Sequence, residues 1–316
     1  MIVDERFMRR AIVLASHGRL DASPNPMVGA VIVDCSGRII GEGWHRRCGQ
    51  GHAEVNAVAS VKDKSLLADA TMYVTLEPCS HYGKTPPCAR LIIDMGIPRV
   101  VVGTTDPFEK VSGRGIVMLR EAGVEVVTGV LEDECRWLNR KFFTAHTFHR
   151  PYITLKWAES ADGYLDGRIS TPVTSMLVHK LRAENDAILV GSTTYLTDCP
   201  RLDTRLYAGS SPRRIVLDRR GRVETEDGLE ILREYGSLTE CMETLYGRGI
   251  TSLLVEGGAE IHESFIRDGL WDEIRVEKGS DRICGTVKAP VLPAGMCLSR
   301  QIEIDGNLIS YYNKER

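Results

Sequence analysis

The chain has 316 residues, a formal net charge of −3 and a hydrophobic fraction of 43%, which together indicate a globular protein of about two domains. Its 40 basic and 43 acidic side chains leave no basic excess, so the composition disfavours a nucleic-acid binder. The apolar runs are too short to cross a bilayer and the opening MIVDERFMRR lacks the pattern of a secretory signal, so we expect a cytoplasmic protein without a membrane partner.

The first half of the chain alternates helical and strand patterns. A helix follows Asp4, a good N-cap, and ends near Gly18. Strands are predicted at 28–33, 39–44, 71–76, 99–102 and 124–127, and further helices begin near 52, 86 and 115. This alternation predicts a three-layer α/β/α domain. A helical stretch at 131–143 is followed by a His- and Thr-rich segment at 144–149, which we interpret as a linker between domains at 1–146 and 147–316.

The second half repeats the α/β alternation with different spacing. Strands are predicted at 152–157, 187–190, 215–217 and 252–255, with helices at 176–183 and 239–246. The end of the chain, 301–312, has the pattern of a hairpin around Asp305-Gly306-Asn307. The region 218–251 is short, as if one strand and its loop were missing.

The strongest chemical signal is a set of zinc-ligand side chains in the first half. His52-Ala53-Glu54 is followed by Pro78-Cys79 and by Cys88, among nine cysteines whose odd number does not suit a disulfide framework. One imidazole and two thiolates are the three protein ligands of a catalytic zinc, which keeps a fourth position for water. Glu54 is then the proton carrier beside the open position. Taken singly, these residues also fit buried thiols and a helix-start histidine; their joint occurrence favours the metal site.

The spacing of the two cysteines separates this pattern from other zinc deaminases. The general signature places two residues between them, whereas here there are eight. The segments SPNPMVGAVIV, HAEVNAV and TLEPCSHYGKTPPC closely resemble the bifunctional deaminase–reductase family of riboflavin biosynthesis. The long insert, with Ser80, His81, Gly83 and Lys84, is that family's own pattern, and the resemblance runs over essentially the whole chain.

The resemblance implies a cytidine-deaminase-like first domain in which His52, Cys79 and Cys88 hold Zn²⁺ and Glu54 shuttles protons. It implies hydrolytic deamination of diaminohydroxyphosphoribosylaminopyrimidine, a small-molecule substrate. Asn25 and His45 match family positions near this substrate, although Asn25 between two prolines also fits a simple turn.

The second half is similar to the reductase half of the same family, whose fold resembles dihydrofolate reductase and whose cofactor is NADPH. No G-x-G-x-x-G fingerprint stands at a strand–helix junction, so a Rossmann domain is not expected. The resemblance implies that the enzyme reduces the ribosyl group of the deaminated product to ribityl. By position, the cofactor contacts are Ala158, Thr194, Asp198 and Gly258. The substrate contacts are Arg182, Leu202, Arg205 and Glu256, with the arginines suited to a phosphate.

Two features of the second half depart from the family pattern. The run Gly167-Arg168-Ile169-Ser170-Thr171 stands in place of a Ser and a Trp-Ile-Thr stretch, and Glu277-Lys278-Gly279-Ser280 replaces an Ala-Pro-Lys-Leu motif. An alternative is therefore a deaminase whose degenerate reductase-like half is an oligomerisation scaffold. A zinc-stabilised binding module without turnover is a third reading, but it requires a closed site with four ligands. In each enzymatic reading we expect a homo-oligomer.

Overall fold

The structure is a computed structural model that describes residues 3–81, 86–107 and 113–314. The chain divides into two compact units, Met1–Phe148 and His149–Arg316. Within the described ranges, no helix is both long and apolar enough to cross a membrane.

The first unit is built on one five-stranded sheet. Its strands are β1 (Gly29–Val33), β2 (Ile39–Trp44), β3 (Thr71–Leu76), β4 (Arg99–Thr104) and β5 (Glu125–Thr128). Their order is β2-β1-β3-β4-β5, with β1 antiparallel to its neighbours β2 and β3, and with β3, β4 and β5 parallel. The helices are α1 (Glu5–Ser16), α2 (Ala53–Ser60), α3 (Cys88–Asp94), α4 (Arg114–Glu121), α5 (Glu132–Leu138) and α6 (Arg140–Phe148), with a 3₁₀ helix at Lys64–Asp69.

Helices cover both faces of this sheet, which confirms the predicted three layers. Ala30 and Ile32 of β1 pack with α2, α3 and α4, whereas Val31 and Val33 pack with α1 and Cys135 of α5. This division follows from the two-residue period of a strand, which sends alternate side chains to opposite faces. Helix α2 packs closely against the backbone of β2. A Cβ on Gly43 would lie only 2.3 Å from the backbone nitrogen of Ala57, so this contact requires glycine.

The second unit is built on an eight-stranded sheet. The strands are β6 (Tyr152–Glu159), β7 (Ala187–Gly191), β8 (Arg213–Leu217), β9 (Leu229–Leu232), β10 (Ser252–Gly257), β11 (Glu273–Lys278), β12 (Met296–Ile304) and β13 (Asn307–Lys314). The helices are α7 (Pro172–Ala183), α8 (Ser192–Asp198), α9 (Leu238–Gly247) and α10 (Ala259–Arg267). The sheet order is β12-β13-β11-β6-β10-β7-β8-β9. Strands β6 to β11 are parallel, and the hairpin β12–β13 adds antiparallel to β11.

The connections of the second unit reverse direction between two neighbouring strands. From β10 the chain passes through α10 to β11 on one side, and from β7 it passes through α8 to β8 on the other. Open parallel sheets bind ligands in the crevice at such a switch point, outside the carboxyl ends of the strands. The carboxyl ends of β10 and β7, at Gly257 and Gly191, are therefore where a ligand is expected.

Three sequence predictions need correction. The segment 144–149 contains the boundary between the two units, but it is helical up to Phe148 because α6 continues through it. The region 218–251 does contain a strand, β9, paired in parallel with β8. Strand β11 also escaped prediction, because its buried positions carry charged side chains, Arg275 and Glu277. The hairpin was predicted correctly, and its turn residues Asp305 and Gly306 have the positive φ values, 53° and 81°, of a type I′ turn.

Candidate active sites

The three predicted metal ligands lie together at the carboxyl end of β3 in the first unit. His52 is the N-cap residue of α2, Cys79 follows β3, and Cys88 is the first residue of α3. One donor atom from each lies within 4.8 Å of the other two. Because Pro87 supplies an extended backbone just before Cys88, α3 begins at the cysteine and directs it to the other two side chains.

The spacing of these donor atoms fits a zinc ion. His52 Nδ1 lies 3.3 Å from Cys88 Sγ and 3.7 Å from Cys79 Sγ. Tetrahedral zinc with the usual Zn–N and Zn–S bond lengths separates its nitrogen and sulfur ligands by about 3.5 Å. One imidazole and two thiols form a donor set for zinc, and three ligands leave a fourth position open for water.

The protein favours a thiolate at Cys79 before any metal is considered. The backbone N–H of Cys88, at the start of α3, donates to Cys79 Sγ at 3.2 Å. A hydrogen bond from the Cys88 thiol, together with this N–H and His52, lowers the pKa of Cys79 to about 4 against the effect of burial. The same contact with Cys79, and burial, raise the pKa of Cys88. These contacts favour the thiolate form of Cys79, which is the form in which cysteine binds zinc.

Glu54 lies in the first turn of α2, two residues after His52, and its side chain is 3% exposed. Burial, and then the negative charge on Cys79, raise the pKa of Glu54 to about 7. A carboxyl group with a pKa near neutrality can both accept and return a proton at physiological pH. Glu54 lies beside the three predicted metal ligands and is not itself required as a ligand. This position suits a proton carrier.

His45 and Asn25 form a hydrogen-bonded pair beside these ligands. The two rings of His45 and His52 have centroids 5.6 Å apart. The Asn25 amide donates to His45 Nε2 at 3.2 Å, and His45 Nδ1 donates to the Gly51 carbonyl at 3.3 Å, a tautomer assigned from this network. Burial lowers the pKa of His45, so the ring is neutral at physiological pH. All deaminase candidates from the sequence are thus brought to one place.

Glu77 is a residue of this site that the sequence analysis missed. Its buried carboxylate accepts backbone N–H groups of Gly113 and Gly115, each at 2.9 Å, and so connects the end of β3 to the start of α4. A Cβ on Gly115 would lie 1.9 Å from the Pro78 carbonyl oxygen, so α4 begins against the residue that precedes Cys79. The available signal was an acidic residue directly after a strand rich in β-forming residues and directly before Pro78-Cys79.

The long insert between the two cysteines is only partly described. Ser80 is half-buried and His81 is exposed. Gly83 and Lys84 lie outside the described residues.

In the second unit, the predicted substrate residues form one cluster at the carboxyl end of β10. Arg182 of α7 donates from Nε and Nη2 to the two carboxylate oxygens of Glu256, at 2.8 and 2.7 Å. Its remaining Nη1 donates to the Asp203 carbonyl at 3.0 Å. Leu202 is buried next to Asp203, and Arg205 forms an ion pair with the Asp203 carboxylate at the surface.

Two of the predicted cofactor residues, Thr194 and Gly258, lie at the switch point of the sheet. A Cβ on Gly258 would lie 2.7 Å from Thr194 Oγ1. The first turn of α8 therefore packs against glycine backbone at the start of α10. Asp198 lies one turn after Thr194 and is exposed, while Ala158 is half-buried near the carboxyl end of β6. Glycine backbone at a strand end gives the close approach that a dinucleotide phosphate needs, and NADPH therefore fits these residues.

Two charged residues beside this cluster, Arg275 and Glu277, were absent from the predicted site, whereas the resemblance offers Lys156 and Asp198 as candidates for the proton donor of the reduction. Lys156 and Arg275 are neighbours on β6 and β11, and Glu277 follows two residues later on the face of Arg275. Glu277 accepts hydrogen bonds from Thr174 at 2.6 Å and Asn307 at 2.8 Å. Burial lowers the pKa of Lys156. In the sequence, Glu277 was marked only by its place in the run 277–280, which departs from the family pattern.

Comparison with known proteins matches each half to a family model. Residues 1–104 match the zinc-binding region of cytidine and deoxycytidylate deaminases. Residues 151–280 match the RibD C-terminal domain. The fold and the sites therefore define a zinc deaminase joined to a reductase domain.

Similarity to whole proteins extends over both halves. The chain is 40% identical to the riboflavin biosynthesis protein RibD of Aquifex aeolicus, covering 87% of this chain and 86% of that protein. It is 37% identical to RibD of Escherichia coli, with 86% of each covered. The structure of a diaminohydroxyphosphoribosylaminopyrimidine deaminase/5-amino-6-(5-phosphoribosylamino)uracil reductase from Thermotoga maritima superposes with a TM-score of 0.90 at 35% identity, covering 98% of each chain. That of Acinetobacter baumannii RibD, in one form, gives 0.88 at 31% identity, also with 98% of each chain covered.

The chain belongs to the RibD family of riboflavin biosynthesis proteins. It is a bifunctional enzyme with a deaminase and a reductase activity, and its cofactors are Zn²⁺ and NADPH.

Proposed function

We propose that the first unit hydrolyses an exocyclic amine of diaminohydroxyphosphoribosylaminopyrimidine, and that the second reduces the ribosyl group of the deaminated product to ribityl with NADPH. The observation that carries this proposal is the group His52, Cys79 and Cys88 with the buried Glu54 beside it. The substrates are those named for the Thermotoga maritima protein, which shares the fold over both units. In this assignment 1–146 is the deaminase domain and 147–316 the reductase domain.

In the deaminase, His52, Cys79 and Cys88 hold the metal and the neighbouring residues handle protons and substrate. Zinc, when bound, lowers the pKa of a water molecule toward about 7 and so supplies a nucleophile at neutral pH. Glu54 takes the proton of the attacking water and passes protons to the ring nitrogen and to the departing amine. Water is consumed, a carbonyl replaces the amine, and ammonia leaves. Asn25 and neutral His45 contact the substrate from beside the ligands.

In the reductase, NADPH supplies a hydride and the protein positions both reactants. Thr194 and Gly258 hold the cofactor at the switch point, with Ala158 and Asp198 at either side. Glu256, fixed by Arg182, faces the substrate together with Leu202 and Arg205. The Arg182 guanidinium is already occupied by Glu256 and Asp203, so the phosphate contact falls to Arg205.

A coupled assay on the purified full chain tests both steps. Ammonia release from the diaminopyrimidine and NADPH oxidation by the deaminated intermediate are measured separately. We expect both. Ammonia release without NADPH oxidation would leave the second unit a scaffold, and NADPH oxidation alone would remove the deaminase assignment.

We also propose that the protein is a cytoplasmic homo-oligomer. All nine cysteines are free thiols, as is usual in a reducing compartment. Large apolar side chains of the second unit such as Val291 and Leu298 are 84% and 52% exposed, and contact with a second copy would remove them from water. Light scattering coupled to size-exclusion chromatography tests the assembly, and a monomer mass would contradict it.

A further inference from the structure

Lys156 and Arg275 lie side by side on the sheet of the second unit. They are register partners on the parallel strands β6 and β11, so their side chains project from the same face of the sheet. Glu256 flanks Lys156 on the other side, because strands β10 and β6 pair in register up to the preceding residue of each. A lysine therefore stands between an arginine and a carboxylate that the proposed function assigns to the substrate.

Both carboxylates near Lys156 are bound by other donors. The two carboxylate oxygens of Glu256 accept hydrogen bonds from Arg182. Glu277 accepts three side-chain hydrogen bonds of 2.6, 2.8 and 3.0 Å, from Thr174, Asn307 and Ser170. In the described part of the chain, Lys156 Nζ accordingly has no hydrogen-bond or ion-pair partner.

Arg275 carries a positive charge that the protein buries without hydrogen bonds to its outer nitrogens. Its side chain is 1% exposed, and among the described residues Nη1 and Nη2 have no hydrogen-bond partner. A Glu277 carboxylate oxygen lies 3.7 Å from Nη1, which is too far for a hydrogen bond. Arginine does not lose its proton in proteins, so this charge is fixed, whereas lysine can lose its own. Lys156 is half-buried, so of the two cations only Lys156 is open to a ligand.

The charges around Lys156 are balanced. Four charged side chains face it, two of each sign: Arg275, Arg182, Glu256 and Glu277. Because the signs balance, burial decides, and the pKa of Lys156 is lowered. On the opposite face of the sheet, His262 of α10 is uncharged, since burial and then the Lys156 charge lower its pKa to about 3. Removal of one of the four charges therefore changes the proton affinity of Lys156 in a direction set by the sign of that charge.

The proposed reduction consumes one proton for each NADPH. C1′ of the ribosyl group gains the hydride, and its bond to the ring oxygen breaks. The oxygen keeps the electron pair of that bond and takes a proton, which makes it a hydroxyl of ribityl. The donor of this proton must give it up and regain it near neutral pH, which an unperturbed lysine does poorly.

We propose that Arg275 is a positioning residue whose buried charge keeps Lys156 unpaired and ready to pass its proton to the ribosyl oxygen at neutral pH. The inference rests on the proposed NADPH-dependent reduction and adds the residue that controls its proton donor. Arg275 offsets the charge of Glu277, which would otherwise hold the proton on Lys156. This role accounts for an arginine at a buried strand position where its outer nitrogens have no hydrogen bonds.

The pH profile of NADPH oxidation, measured with the zinc-loaded full chain and the deaminated intermediate, tests this role. A proton donor must carry its proton, so the rate falls as the pH rises through the pKa of Lys156. Arg275→Met removes a positive charge and should move this fall upward by about one pH unit. Glu277→Gln removes a negative charge, keeps an acceptor oxygen for Thr174, and should move the fall downward. The exposed Arg267→Met is the control and should not move it.

The double variant Arg275→Met/Glu277→Gln guards against a folding defect. It leaves neither charge buried without the other, and its rate should fall at nearly the same pH as that of the unmodified protein. If Arg275→Met does not fold, the downward shift in Glu277→Gln and its reversal in the double variant decide. Denaturant unfolding shows which variants are folded.

Competitive labelling with acetic anhydride reads the protonation of Lys156 without any turnover. Only the unprotonated amine reacts, and peptide mass spectrometry gives the labelled fraction at each pH. Labelling of Lys156 should require a higher pH in Arg275→Met and a lower pH in Glu277→Gln. Labelling of the exposed Lys62 should be the same in all proteins.

Shifts in the same direction for Arg275→Met and Glu277→Gln, or no shift in either, would overturn this inference and leave the reductase assignment standing. An equal shift in Arg267→Met would also overturn it, since the effect would be general charge. An unmodified protein that is labelled at Lys156 but oxidises no NADPH would overturn the reductase assignment itself, and the donor role of Lys156 with it.

Discussion

Arg182 and Glu256 form an ion pair with two parallel hydrogen bonds, 2.8 and 2.7 Å long, between helix α7 and the end of strand β10. Both side chains are about nine-tenths buried. Burial raises the pKa of Glu256, but the Arg182 hydrogen bonds and charge outweigh it and the net effect is a lowered pKa. The pair therefore stays ionised at neutral pH and holds the Glu256 carboxylate in place at the carboxyl end of β10.

Breaking this pair on one side should destabilise the second unit. Arg182→Met leaves a nearly buried carboxylate without its cation, and we expect a loss of about 3 kcal/mol in the free energy of unfolding. The double variant Arg182→Met/Glu256→Leu should lose less than the single variant, because no charge remains buried. Denaturant unfolding of all four proteins of the cycle gives the coupling. A double variant whose loss equals the sum of the two single losses would show that the two side chains do not interact.

Glu54→Gln should retain zinc and lose deamination. The amide keeps the size of the side chain but cannot carry a proton, and loss of a general acid–base costs about 10²–10⁴-fold. Ammonia release and metal content are measured on the same preparation, with the exposed Glu121→Gln as control. Reduction of the deaminated intermediate, supplied directly, should be unaffected. Ammonia release near the unmodified rate would remove Glu54 from the mechanism.

Cys88→Ser should lower zinc content itself. A hydroxyl is a far poorer ligand for zinc than a thiolate, so two strong ligands remain instead of three. Cys135→Ala is the matched control, since Cys135 is a buried thiol of the same unit that packs in the core against Gly103. Metal analysis after dialysis should show full zinc in the control and a clear deficit in Cys88→Ser. Full occupancy in both would contradict the ligand assignment.

His262 should make the protein less stable in mild acid. It is fully buried beside Trp157, with ring centroids 5.3 Å apart, and burial followed by the Lys156 charge lowers its pKa to about 3. The unfolded chain takes up a proton near pH 6.5 and the folded protein does not. His262 therefore does not reduce the free energy of unfolding above pH 6.5. As the pH falls from 6.5 toward 3, the free energy of unfolding decreases by up to about 1.4 kcal/mol per pH unit.

His262→Leu removes this titration and puts an apolar side chain of similar size in the same place. Between pH 7.5 and 5.0, the unmodified protein should lose about 2 kcal/mol more free energy of unfolding than the variant. The exposed His17→Leu is the control and should follow the unmodified protein. Parallel pH profiles for all three proteins would mean that His262 is not held neutral by the fold.

The sequence by itself determined the class of the fold and predicted three metal ligands whose donor atoms the structure brings within 4.8 Å of one another. In the first unit, each strand and helix buries one or two of its faces. The apolar residues therefore recur with the period of a strand or of a helix, and this period can be read from the sequence. The set His52, Glu54, Cys79 and Cys88 was visible because zinc accepts few ligand types. Where local propensity and burial disagreed, the sequence failed: α8 begins with Ser192-Thr193-Thr194, poor helix formers, and β11 buries Arg275 and Glu277.

Only the tertiary structure decided which polar groups face each other. Residues 74 positions apart make the Arg182–Glu256 pair, and residues 30 apart bring Arg222 to Ser192. Glu77 reaches the backbone of a helix 36 or more residues later. Such partners leave no periodic trace in the chain, because each depends on the strand order of a sheet rather than on the residues nearby. The sequence therefore names the chemistry of the predicted zinc site, whereas the order of the strands decides which distant polar side chains lie together.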